Sequence, residues 1–284
     1  QDYSDSIRFI WDQTVRGINQ GLTLDELASE LRLPERFSRT HFTRQFYGVA
    51  EHHVRQIHSG LFGWFDEDVS KLFPQQPVER AQKIVKAFGG LEVVRKEFEE
   101  ALKSADYRWA LELSDWLLKV SEDAEDQNRQ ARALRAVAQR TTSANIRNWC
   151  ITKALELDGL LTLERFRRHR FGYSEVMAGK PATFVKLLRV LLDPLRARGI
   201  NTEICWRFDD ATSAGLRLRD QVAIPTDGSA ADINIELSHE TWARILSGKI
   251  SPEHAALAGE IVVQGSIEEF LRVAKVFDLW CDEA

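Results

Sequence analysis

Apolar spacing in this chain changes once, near residue 160, and that change limits the folds open to it. Up to about residue 157 the apolar residues recur at helical intervals almost throughout, with no convincing two-residue alternation. Beyond it, short alternating runs with β-branched and aromatic residues take over, separated by turn-forming clusters. A chain of 284 residues is long enough for two domains that each bury a core. The pattern therefore predicts an all-α domain over residues 1–157, followed by an α+β domain over 158–284 with a small sheet and helices packed on one side.

Local signals place the helices. Ile7, Ile10, Trp11, Val15 and Ile18 form one stripe over Ser6–Gln20, and Gly21 stands where a C-terminal glycine ends a helix. Thr23 with Glu26 three residues on reads as a capping box for the next helix. After a Gly63-Trp64-Phe65-Asp66 turn and the Pro74–Pro77 break, helices are expected at about 78–88, 91–104, 106–120 and 126–140. Ala105–Leu113 resembles one hairpin of a tetratricopeptide-type repeat, but no second copy follows at a period of about 34 residues, so a solenoid is not expected. In the second half, Phe184–Leu192 is an apolar helix. Asn201–Phe208, Leu216–Ile224, Ile233–Leu237 and Glu260–Val263 read as strands, and Pro225–Gly228 as a turn.

Most chemistries are excluded by spacing. Cys150, Cys205 and Cys281 are odd in number and far apart, which argues against a disulfide framework or a zinc knuckle. Four of the seven histidines, His41, His52, His53 and His58, lie between residues 36 and 66, yet no pair among them has the i,i+3 or i,i+4 spacing that puts two ligands on one helical face. Adjacent His52 and His53 point about 100° apart on a helix. Ser59-Gly60 lacks the flanking glycine of a nucleophile elbow. Gly89-Gly90 is not followed by the lysine of a phosphate loop and reads as an interhelical turn. Glu122–Asp126 reads as a solvated loop.

The Leu24–Arg44 segment has a helix-turn-helix outline, and a recognition helix there would present Arg36, Arg39 and Arg44. Asp25, Glu26, Glu30, Glu35 and Glu51 offset most of that charge, and the net charge of the chain is −5. Nucleic acid is therefore not an expected partner. No apolar run approaches the roughly 18 residues of a membrane span. This predicts a soluble protein, cytoplasmic or periplasmic, and the start at Gln1 with Met177 as the single methionine is read as a fragment or processed piece.

The most specific stretch is Arg44-x-x-Tyr47-Gly48-x-x-x-His52-His53 followed by Gly63-Trp64-Phe65-Asp66. Together with Asp12-Gln13-Thr14, Asn19-Gln20-Gly21, Gly89-Gly90 and Ala105–Trp109 in the same order, it resembles the dimerisation domain of class III alkyl sulfatases over about residues 6–157. The remainder, from Phe184 through Gly265-Ser266-Ile267 to Phe277-Asp278, resembles the sterol-carrier-protein-2-like (SCP2-like) domain that closes such enzymes. Gln45-Phe46, His53 and Glu67-Asp68 depart from the residues that family tends to carry at these positions.

That resemblance implies a hydrolase of alkyl sulfate esters whose binuclear zinc is held by a metallo-β-lactamase-type domain. No His-x-His-x-Asp-His signature occurs here, so the zinc domain is expected outside this chain, on the same polypeptide or a separate one. The implied role of this part is to pair two subunits as a homodimer and to recruit an amphiphilic substrate. Arg44, Tyr47 and His52 match polar positions of the family motif and are the expected substrate-binding residues; no catalytic or metal-binding residue is assigned. A guanidinium and a phenol suit a sulfate group through charge-assisted and neutral hydrogen bonds. The competing reading is a non-enzymatic binder of apolar ligands. In it, the Phe184–Leu192 helix lines a cavity closed by Trp242, Phe270, Phe277 and Trp280.

Overall fold

Thr23 caps its helix as the sequence requires. Its hydroxyl accepts from the Glu26 backbone N–H at 3.4 Å, and the Glu26 carboxylate accepts from the Thr23 N–H at 2.9 Å. The computed structural model describes residues 1–164 and 171–279. These residues fall into two units that divide between Thr162 and Leu163.

The first unit is helical. α1 (Asp2–Asn19), α2 (Leu24–Glu30), the short α3 (Glu35–Arg39) and α4 (Ala50–Phe62) enclose a small core of Ile10, Leu27, Ala28, Ala50 and Val54. α5 (Pro77–Phe88), α6 (Leu91–Lys103), α7 (Tyr107–Val120), α8 (Ala124–Arg140) and α9 (Ala144–Leu157) then pack in chain order, α7 on α6, α8 on α7 and α9 on α8. Phe98, Leu113 and Leu117 are fully buried in this second core. Hairpins thus stack in series without a repeated sequence. The α5–α6 reversal depends on Gly89 and Gly90, whose φ values of 103° and 107° strain any side-chain-bearing residue.

One acidic stretch differs from expectation. α8 already begins at Ala124, capped by Asp123, and Asp126 is buried rather than solvated. Arg95 of α6 reaches Asp126 with Nη2 at 2.6 Å and Nε at 3.1 Å, and Arg129 adds a bond at 2.8 Å. Burial pushes the Asp126 carboxyl up, but these bonds and charges outweigh it and hold the group below the usual carboxylate range. The sequence hid this because Arg95 lies in another helix.

The second unit is α+β. α10 (Tyr173–Ala178) and α11 (Pro181–Leu187) precede a five-stranded sheet of β1 (Thr202–Phe208), β2 (Ser213–Arg219), β3 (Val222–Thr226), β4 (Ile233–Leu237) and β5 (Ile261–Gln264), with α12 (His239–Leu246), α13 (Pro252–Leu257) and α14 (Ile267–Ala274). Strand order is β3-β2-β1-β4-β5, with β1 and β4 parallel and the other pairs antiparallel. In register, Ile204, Leu216, Ile233, Trp206, Ala214 and Ile235 share the face that packs into the core with the helices. Residues of opposite parity, such as Arg207, Arg217 and Glu236, lie on the other face.

The run Leu216–Ile224 is two strands, not one. Asp220 and Gln221 both adopt positive φ, 52° and 65°, and make a two-residue hairpin turn. Pro225 and Thr226, expected in a turn, still belong to the edge strand β3, where the missing N–H of Pro225 costs no ladder bond in the sheet interior. The Phe184–Leu192 helix is shorter than its apolar run, ending at Leu187 and passing into a single 3₁₀ turn. Among the described residues no helix is long and apolar enough to cross a membrane.

Candidate anion-binding groove and apolar void

Between α3 and α4 the chain runs without regular structure from Arg44 to Val49. Gln45 turns its side chain to the start of α4, accepting from the Ala50 N–H at 2.6 Å. Three successive carbonyls of this loop are taken by the α8–α9 corner. Gln45 O accepts from the Thr142 hydroxyl (3.2 Å), Phe46 O from the Ala144 N–H (2.6 Å) and Tyr47 O from the Ser143 hydroxyl (2.7 Å). The loop is thereby fixed while its side chains stay outward: Tyr47 is 75% and Phe42 78% exposed.

These side chains rim an open groove of about 510 Å³. α1 supplies Tyr3, Ile7, Ile10 and Trp11, α4 supplies His53, Gln56 and Ile57, and the loop supplies Phe42, Arg44, Tyr47 and Gly48. Among the described residues no Asp or Glu lines it. Arg44 donates from Nε to Ser38 O at 3.2 Å and forms no ion pair among the described residues, so the groove carries one uncompensated guanidinium beside apolar walls. Gly48 admits the His53 ring, since a Cβ there would stand 2.7 Å from Nε2.

Of the three expected site residues, Arg44 and Tyr47 meet in this groove. His52 is exposed one position earlier on α4 and does not line it, whereas His53 does. Sequence reasoning passed over His53, whose signal is its pairing with Gly48 five residues earlier. The other two histidines are occupied by aromatics: His41 lies against Phe42 and Phe46, and buried His58 against Phe62. Among the described residues no group of three or more His, Cys, Asp or Glu side chains is arranged to hold a metal ion.

Asp66 of the Gly63–Asp66 turn serves the fold around the groove. It is buried, accepts from the Leu24 N–H at 3.2 Å and pairs with Lys71 at 2.8 Å. Burial raises its pKa, but Lys71 outweighs that and holds the carboxyl low. The helix-turn-helix outline dissolves at the same place. α3 is a five-residue helix, Arg36 pairs with Asp2, and Arg39 pairs with Glu35.

The second unit holds a different kind of space. Leu188, Trp206, Trp242, Phe270, Phe277 and their neighbours surround an apolar void of about 30 Å³. That is room for a water or two, against the several hundred Å³ typical of a ligand pocket. Trp242 Nε1 is buried there without a hydrogen-bond partner among the described residues. Trp280, expected to close this cluster, lies outside the described residues.

The chain thus joins a helical unit that carries a cationic, amphiphilic groove to a unit in which helices pack on a five-stranded sheet. Residues 23–159 match the alkyl sulfatase dimerisation family and residues 174–280 the alkyl sulfatase C-terminal family. The chain therefore carries the dimerisation and C-terminal domains of the alkyl sulfatase family. It is 32% identical to a linear primary-alkylsulfatase of a Pseudomonas strain over 96% of its own length and 54% of that protein. It is 31% identical to an (R)-specific secondary-alkylsulfatase of Pseudomonas sp., over 93% of this chain and 40% of that one. A solved stereoselective inverting sec-alkylsulfatase from Pseudomonas sp. superposes with a TM-score of 0.84 at 28% identity, covering 98% of this chain and 44% of the other. The chain thus spans about half the length of the curated relatives it matches.

Proposed function

We propose that this chain is the dimerising, substrate-recruiting part of an alkyl-sulfatase-like hydrolase. The observation that carries this reading is the groove: a guanidinium, a phenol and an imidazole set against apolar walls, with no acidic partner or lining carboxylate among the described residues. An amphiphile with an anionic head fits that chemistry. Arg44 holds the sulfate by charge-assisted hydrogen bonds, Tyr47 donates a neutral one, and Ile7, Trp11 and Ile57 receive the alkyl chain. His53 lines the same rim and supplies the imidazole, whereas His52, the third expected contact, does not line the groove.

Binuclear zinc would supply the hydrolytic chemistry from a metallo-β-lactamase-type domain outside this chain. Pairing of two copies belongs to the helical unit, where residues 61–73 expose Leu61, Phe62, Trp64, Val69, Leu72 and Phe73 in one short span. Exposed apolar surface of this density marks an association site. The test is zinc content and alkyl sulfate hydrolysis, measured for this chain alone and joined to a zinc-binding domain from its own polypeptide or a neighbouring one. Hydrolysis only in the joined protein is the expected result, and none in either sinks the reading.

A further inference from the structure

We infer that the α8–α9 corner, with Ser143 at its centre, is a positioning element for the groove. The inference rests on the anion-binding reading and deepens it. Arg44–Val49 has no helix or strand of its own to fix it, so its backbone must be held by bonds from elsewhere. Three of those bonds come from Thr142, Ser143 and Ala144, to the carbonyls of Gln45, Phe46 and Tyr47 in order. Nearly one hundred residues of chain separate donor from acceptor, so the corner, acting with the local Arg44–Ser38 and Gln45–Ala50 bonds, sets the path of the backbone that carries Arg44 and Tyr47.

Ser143 performs two tasks with one hydroxyl. Its oxygen accepts from the Ile146 N–H at 3.4 Å, capping α9, and its proton goes to Tyr47 O at 2.7 Å. Capping needs only the acceptor, so the donated bond is additional. The residue is fully buried, and a Tyr47 carbonyl left without its donor there would shift to find another. Ser143 is thus a positioning residue: it acts on substrate through the loop that carries Arg44 and Tyr47.

The experiment uses this chain joined to its proposed zinc-binding domain, with decyl sulfate as substrate, and hydrogen exchange of the Ala144 amide as a readout independent of activity. Ser143→Ala is expected to expose that amide and to raise KM roughly three- to tenfold with kcat little changed, the size of one lost hydrogen bond. Thr142→Val, which leaves the cap intact, is expected to give a smaller shift in the same direction and carries the test if Ser143→Ala does not fold. In an Arg44→Ala background, Ser143→Ala should add little further, because both act through one contact.

An exposed Ala144 amide with unchanged KM overturns the inference. So does a Ser143→Ala effect of undiminished size in the Arg44→Ala background, the mark of a merely structural role. If Arg44→Ala itself leaves KM unchanged, the anion-binding reading has failed, and the inference falls with it for that separate reason.

Discussion

The two units solve folding in opposite ways. The α+β unit gathers its buried residues into one continuous core around a sheet face, and the void inside that core is about 30 Å³. Its open groove, of about 550 Å³, is lined by Asp209, Glu236 and Glu260 beside Arg207. The helical unit divides its burial between two smaller cores, links α4 to α7 through the Glu51–Arg108 ion pair, and leaves Trp64, Phe73 and Trp149 exposed. Its groove of about 510 Å³ is lined by Arg44 and, among the described residues, by no carboxylate. The two grooves thus differ in charge: one is acidic on balance, the other holds a cation without an ion-pair partner among the described residues beside uncovered aromatics.

The largest effect that sharpens this contrast comes from the helical core. Phe98 is fully buried, and Phe98→Ala should cost about 3–5 kcal/mol in urea denaturation. Ile235→Ala in the sheet should cost about 2–5 kcal/mol, and a much smaller value would break the picture of a tightly packed second unit. Next is Asp126→Asn, which removes the charge at the centre of the Arg95–Arg129 network. A loss of about 2 kcal/mol is expected, and no loss would mean that the network is incidental.

Acid should separate the units as well. Asp25, Glu51, Asp66, Glu99 and Asp126 of the helical unit are all held below their ordinary values by cationic partners. A carboxylate whose folded pKa is depressed contributes stability above its unfolded value of about 4, lost as pH falls through the folded one. The shifted carboxylates of the second unit are fewer: Asp193 is half-buried and paired with Arg196, and Asp210 and Asp227 are exposed. Acid titration followed by residue-resolved hydrogen exchange should therefore show the helical unit opening first below about pH 4. Simultaneous opening would contradict the contrast. The smallest expected effect is Trp242→Phe: its buried N–H has no hydrogen-bond partner among the described residues, so only the lost ring atoms count and stability should fall by about 1 kcal/mol.

Legibility in the sequence followed how local each determinant is. The capping box at Thr23 and Glu26, the helices at 77–120 and the strand at Ile233 are written in neighbouring residues, and their positions could be read directly. The hairpin at Asp220-Gln221 was missed because neither residue is the glycine or asparagine that usually marks such a turn. Asp126 looked solvated because its partner Arg95 is on another helix. At the candidate site, motif residues pointed to Arg44 and Tyr47. The choice between His52 and His53, and the clamp from Ser143, depend on contacts that no local pattern records.

The central claim is that the Arg44 guanidinium binds the anionic head of an amphiphilic substrate in the helical groove. Arg44→Ala in this chain joined to its proposed zinc-binding domain tests it most directly, through kcat/KM for decyl sulfate. Loss of one charge-assisted contact predicts a fall of roughly tenfold or more with the fold intact, since such a bond contributes about 1.5–3 kcal/mol. An unchanged kcat/KM would contradict the account.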